Sequence, residues 1–521
     1  MSDHIFATNP IMPGFYPDPS ICAVGEDFYL CNSTFAYFPG LSIMHSKDLV
    51  HWEQIGNALD RHSQIPLEGA GHSQGLYAPT IRYNDGTFYV ICTNVTHGGN
   101  FIVTAENPEG PWSEPHYLDD ADGIDPSLFF EDGKCYYIGT HPNPEGPKYN
   151  GDWYIYISEL DTKEWKLKEK INVWNGALKG CIWPEGPHLY KENGYYYIMH
   201  AEGGTGPDHS EMICRSREIF GPYENNPRNP IITHRHLGED YPIKYVGHAD
   251  LIKTVNDEWY MAMLAVRPLN RFTTMGRETF LARVTWENDW PVVNPGIGKL
   301  TDEVEIDLKP WDPEKGEGSY TRRTNNKTAI PGSNRDYDFT KMKELGDEFL
   351  MLRNFPDDMF RLTDEGLKLK AGKDDIKAVA SPSYIAIRQQ HHHFTSTATF
   401  DAAALKEGES AGLVLMQNNL YNLRAEVKDG ECFMIVCKDG KDEIVGSTPA
   451  SGKVTVEIKV DGLKAKAKCN GKEIGETTVE TLSTEVAGGF VGCTVGIYAS
   501  ANGNESDTYV TFTKLTYKGS C

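Results

Sequence analysis

The chain has 521 residues, with 74 acidic against 50 basic side chains, a formal net charge of -24 and a mean hydropathy of -0.48. A balance of that sign excludes a phosphate polymer or an anionic membrane as partner, since both call for clustered Lys and Arg, and it suits a neutral ligand. No apolar run reaches the roughly 18 residues of a spanning helix, and the length exceeds one ordinary core, so a second domain is expected.

The opening Met1-Ser2-Asp3-His4-Ile5-Phe6 lacks the basic-then-apolar pattern of a signal peptide, so a cytoplasmic protein is expected. Cysteine usage agrees with that reading. The 11 cysteines are odd in number, scattered and without a CxxC pair. Several stand inside strand-like runs such as Val90-Ile91-Cys92-Thr93, as buried free thiols of a reducing compartment do. Structural zinc is not expected, because ligand spacing is absent.

A turn followed by an aromatic strand recurs five times in the first 300 residues: at Gly25 to Leu30, Asp85 to Val90, Asp132 to Tyr137, Asn193 to Tyr197 and Asn256 to Tyr260. In the middle three, Asp-Gly or Asn-Gly supplies the positive φ angles of a tight hairpin, and Tyr, Phe and Val favour the pleated arms. Taking Tyr29, Tyr89, Tyr137, Tyr197 and Tyr260 as equivalent gives steps of 60, 48, 60 and 63 residues. Each step has room for a four-stranded sheet, and five such units predict an all-β, five-bladed β-propeller over residues 1-305.

Stepping back 11 residues from the first marker and 12 from the others reaches Asp18, Tyr77, Asp125, Glu185 and His248. In a propeller these equivalent positions face one funnel, so three carboxyls, a phenol and an imidazole are expected in one pocket. Three acids crowded together cannot all keep ordinary pKa values, which is the composition of an active site.

Taken in order, Tyr16-Pro17-Asp18-Pro19-Ser20 holds its acid between prolines that fix the backbone. Alone it would read as an Asp-Pro turn. Ser33-Thr34-Phe35-Ala36-Tyr37-Phe38-Pro39-Gly40 is expected as an exposed aromatic loop; beside acids, such rings suit the C–H faces of a sugar, with core packing as the alternative. Trp52 is assigned to the core. Asp125-Pro126-Ser127 repeats Asp18-Pro19-Ser20, and Pro184-Glu185-Gly186-Pro187 pins the third acid. His248, on the predicted axis, would meet a bound cation or an ordered water. Arg277, after Gly276 at a strand start, either offsets the acids or lies on the surface. Trp290-Pro291-Val292-Val293 closes the last blade.

Residues 306-335 read as a linker, rich in Gly, Pro and charge around Trp311 to Ser319. Residues 336-521 show short alternating strands between turn signals such as Lys438-Asp439-Gly440, a β-sandwich pattern. His391-His392-His393 is read as strand or loop surface in preference to a metal tract.

Pro17-Asp18-Pro19-Ser20, Ser33-Thr34-Phe35, Asp125-Pro126-Ser127, Glu185-Gly186-Pro187 and Gly276-Arg277-Glu278-Thr279 together resemble glycoside hydrolase family 43. They are most similar to its two-domain exo-acting β-xylosidases and α-L-arabinofuranosidases. Ser381-Pro382-Ser383-Tyr384 and Arg388-Gln389-Gln390 are similar to the concanavalin-like second domain of that group. The resemblance implies Asp18 as general base, Glu185 as general acid and Asp125 as the residue that orients the acid and raises its pKa. It further implies Phe35, Tyr77 and Arg277 in the sugar subsite, and a calcium ion or water at His248. Tyr77 stands where many members carry Trp, which bears on sugar preference and not on the reaction.

The expected activity is inverting, exo-acting release of terminal β-D-xylose, with α-L-arabinofuranose as the alternative, from xylo- or arabinoxylo-oligosaccharides. The sandwich is expected to shut one end of the funnel. Neither nucleic acid nor membrane is an expected partner, and a homo-oligomer is left open. A retaining fructan-type propeller would need an Arg-Asp-Pro motif, which this chain lacks. A non-catalytic sugar-binding propeller would not need three ring acids.

Overall fold

The computed structural model describes residues 4–313 and 330–520. Five antiparallel sheets of four or five strands follow one another, each a meander in chain order. Their inner strands are Ser20–Val24, Thr80–Asn84, Ile124–Glu131, Glu185–Glu192 and Lys244–Lys253. Each packs beside the next and the fifth returns to the first, closing a five-bladed ring. The hairpins behind them turn as their sequences require. Asp85-Gly86, Asp132-Gly133 and Asn193-Gly194 all have both central residues at positive φ, between 45° and 84°, the geometry whose twist matches paired strands.

The segment before the first blade is sewn onto the last. Ile5–Thr8 pairs with Glu303–Ile306, and the Asn9 side chain both donates to the Leu281 carbonyl and accepts its N–H, each at 2.8 Å. Trp52 is buried and Trp290–Val293 forms the outer strand of blade five.

Beyond the propeller lies a sandwich of one eight-stranded and one six-stranded sheet. The segment expected as a linker contains residues 314–329, which fall outside the described residues. On its near flank the Trp311 N–H donates to Asp48 Oδ2 at 2.8 Å, tying that end to blade one. His393 opens a strand of the larger sheet and pairs with Asp461, while His391 packs against Tyr517.

The aromatic loop Ser33 to Gly40 differs from its expected exposure: Phe35, Tyr37 and Phe38 are all buried. The reason is the second domain. Tyr37–Phe38 pairs as a short strand with Met351–Leu352 of the sandwich. Phe15, Phe35 and Tyr37 share one apolar cluster with Leu350, Tyr384 and Val414. Each such ring contributes roughly 1.5–3 kcal/mol on burial, and Arg388 Nε donates across the same seam to the Phe15 carbonyl at 2.6 Å. The domains therefore meet directly over the loop that borders the first ring acid.

Candidate active site

The inner strands are irregular where they begin. Register shifts fall between Ile124 and Ser127, between Glu185 and His188, and on both sides of Gly247. Asp18, Asp125 and His248 take left-handed backbone, with φ of 50°, 53° and 51°; on blade four the same twist, 60°, falls on Gly186 beside Glu185. Each non-glycine residue there costs about 1–3 kcal/mol. The same departure at equivalent places re-aims each side chain, as bulges beside active sites do.

Asp18, Asp125, Glu185, Tyr77 and His248 accordingly line one pocket of about 420 Å³, mouth included, together with Phe35 and Arg277. Asp18 accepts from Arg277 Nη1 and Nη2 at 2.8 and 3.2 Å and from Ser33 Oγ at 2.6 Å. Burial alone would raise its pKa, but Arg277, then His248 and Ser33, bring it below the usual Asp value. Glu185 is pushed the other way. Burial first, then the charges of Asp125 and Asp18, lift its pKa well above the ordinary Glu value, against a smaller opposing pull from Arg277. Asp125 is also raised, chiefly by burial, and accepts the Gly186 N–H at 3.0 Å, which fixes it beside Glu185.

Arg277 thus lies in the funnel and not on the surface. Its guanidinium also sits 5.6 Å from the centre of the Phe35 ring, and Tyr77 meets Phe35 edge-on at 5.5 Å. Two further lining residues have no signature in the sequence. Phe490, on a glycine-flanked loop of the sandwich, enters the pocket, stacks on Phe35 at 6.1 Å and meets Tyr77 edge-on. Its carbonyl accepts from Arg277 Nε at 3.4 Å, so the second domain touches the cation that clamps Asp18. Gly276 and Gly492 permit this approach, since a Cβ on Gly276 would fall 2.7 Å from Gly492. Thr205 also lines the pocket, and its buried Oγ1 has no partner among the described residues.

His248 stands between blades one and four. Its Nδ1 is 3.7 Å from Asp18 Oδ1, and a Cβ on Gly186 would meet its ring at 3.0 Å. A calcium ion takes six to eight oxygen ligands. Among the described residues no group of three His, Cys, Asp or Glu side chains is arranged to hold a metal, and Asp18 is already committed to Arg277. The side chains at His248 do not fit a calcium cage, and no step below is routed through a metal.

One pocket therefore holds a carboxyl whose pKa is drawn down and another whose pKa is pushed up, flanked by rings: the kind of pairing that hydrolysis of a glycoside uses. The profile of glycosyl hydrolases family 43 matches residues 7–291, and that of the beta xylosidase C-terminal concanavalin A-like domain matches 336–518. The chain belongs to glycosyl hydrolase family 43. This family 43 glycoside hydrolase is 48% identical over 528 residues to a xylosidase/arabinosidase of Butyrivibrio fibrisolvens, covering 98% of this chain and 99% of that one. It is 39% identical over 513 residues to a non-reducing end α-L-arabinofuranosidase of Bacteroides ovatus, covering 95% and 91%. The solved xylan β-1,4-xylosidase of Bacillus halodurans superposes with a TM-score of 0.87 at 31% identity, covering 98% and 100%.

Proposed function

We propose that this family 43 hydrolase removes terminal β-D-xylose from xylo- and arabinoxylo-oligosaccharides with inversion, and releases α-L-arabinofuranose as a second activity. The observation that carries the reading is a single pocket in which Arg277 clamps Asp18 and holds its pKa down, while burial and the neighbouring acids push that of Glu185 up. Glu185 is the general acid: it gives its proton to the leaving oxygen, which a carboxyl held above its ordinary pKa can do near neutrality. Asp18 is the general base, drawing a proton from water on the opposite face of the sugar. Asp125 orients Glu185 through the Gly186 N–H and keeps it protonated by its charge.

Phe35, Tyr77 and Phe490 form the apolar wall for a pentose ring, and Thr205 offers a hydroxyl to it. Because Phe490 arrives from the second domain, the funnel is blocked on that side, which supports recognition of a chain end. The arabinofuranosidase activity is favoured by the names of the Butyrivibrio and Bacteroides relatives. The odd, scattered cysteines support a reducing compartment, the cytoplasm, as the place of action.

The test pairs nitrophenyl β-D-xyloside with nitrophenyl α-L-arabinofuranoside. The expected result is turnover of both, with the larger kcat/KM on the xyloside. Failure on both, or release of internal oligosaccharides from xylan, overturns the proposal.

A further inference from the structure

The inner strand of blade five, Lys244–Lys253, enters the ring with two left-handed residues, Tyr245 and His248, at φ of 60° and 51°. Backbone of this kind persists only where its surroundings hold it. The holding groups come from blade four, around the start of its third strand, Ser210–Ser216. His209 Nδ1 donates to the Tyr245 carbonyl at 2.8 Å, and its ring lies so near Gly247 that a Cβ there would come within 2.6 Å. Two residues on, Glu211 Oε2 accepts the Ala249 N–H at 3.3 Å, and the backbone N–H of His248 faces the same carboxyl closely enough to lower its pKa.

Glu211 is completely buried, its Oε1 has no hydrogen-bond partner among the described residues, and the acid–base scheme gives it no task. Burial, with Asp250 and Glu185 near, lifts its pKa well above the usual range, while the two N–H groups pull it back only in part. Its carboxyl is therefore biased towards the neutral form. His248, in turn, fills the space between Asp18 and Gly186.

We propose that Glu211 is a positioning residue for the hydrolysis: it holds the His248 kink so that the imidazole keeps its place between Asp18 and Gly186, the residue that follows Glu185. The inference rests on the assignment of Asp18 as base. It differs from a role in stability alone, because a neutral acceptor of the same reach serves as well as the acid, whereas a shorter acid does not. An ångström of misplacement beside reacting groups costs on the order of 100-fold.

The experiment measures kcat, KM and melting temperature for Glu211→Gln, Glu211→Asp and Glu211→Met. Glu211→Gln keeps kcat within about twofold of the parent. Glu211→Asp and Glu211→Met lose about 10-fold to 100-fold in kcat with KM little changed. Should Glu211→Met fail to fold, Glu211→Asp carries the test, since it keeps a carboxyl and loses only one methylene of reach. The proposal is overturned if Glu211→Asp matches the parent, or if Glu211→Gln is as impaired as Glu211→Asp. Azide, which can replace the activated water, separates this from the base assignment. If it restores no turnover to Asp18→Ala, the reading of Asp18 falls; if it does and Glu211→Asp is normal, only the role of Glu211 falls.

Discussion

Two layers of the propeller axis, only two residues apart along blade five, handle charge in opposite ways. At the level of His248, three carboxyls share one guanidinium, that of Arg277, and two of them are raised in pKa as a result of burial and mutual repulsion. At the level of Asp250, one fully buried carboxylate accepts from Arg82 at 2.8 and 3.1 Å, from Tyr190 at 2.6 Å, from Ser20 at 2.7 Å and from the Ile21 N–H at 3.0 Å. Burial alone would raise the Asp250 pKa, yet Arg82 first, with His188 and Tyr190, holds it down at about 2. Radial geometry converges side chains at both levels. Where the charges match, the hub ties blades one, two, four and five together; where they do not, a proton is left available for chemistry.

The widest gap between the layers is expected in activity. Asp18→Ala should lose roughly 1,000-fold or more in kcat on activated and unactivated pentosides alike. Glu185→Ala should lose as much on xylobiose but little on a nitrophenyl xyloside, whose leaving group needs no proton. Equal losses of Glu185→Ala on both substrates would break the contrast. In stability the order reverses. Arg82→Met leaves Asp250 buried and unpaired, at a cost of about 3–5 kcal/mol in denaturant unfolding, and Arg82→Met with Asp250→Leu should recover most of it.

Titration sharpens the comparison further. Asp250 has a depressed pKa, so its contribution, about 2–3 kcal/mol, is present above the unfolded Asp value and lost as pH falls towards about 2. Asp250→Asn removes that acid-side dependence. In the ring, Arg277 lowers the pKa of both Asp18 and Glu185. Arg277→Ala should therefore move the acid and the alkaline limb of kcat/KM to higher pH together; movement of one alone would contradict the shared clamp. The smallest expected effect is at the domain seam, where Phe490→Ala raises KM about tenfold, roughly 1.4 kcal/mol.

Much of the propeller could be read from the chain because its signals are local. Asp85-Gly86 and Asn193-Gly194 announce their own turns, and a nearly constant offset from each hairpin tyrosine leads to the ring. The sandwich was legible as alternation, but its place over the funnel was expected only from the family resemblance, not from any residue pattern. No local rule says that Phe490 reaches the pocket from more than 200 residues beyond Arg277, or that the loop at Phe35 is covered by Met351–Leu352. Glu211 is hidden for another reason: a lone Glu in a strand reads as surface, and only the kink at His248 gives it a partner. The hub was half visible, since Ser20 and Asp250 lie two residues after ring positions, but Arg82 lies five after Tyr77.

The central claim is that the ionised base and the protonated acid work on opposite faces of the sugar. Proton NMR of the first sugar released from a β-xyloside tests this most directly. The account predicts α-xylose first, drifting to the β form by mutarotation; β-xylose as the initial product would contradict it.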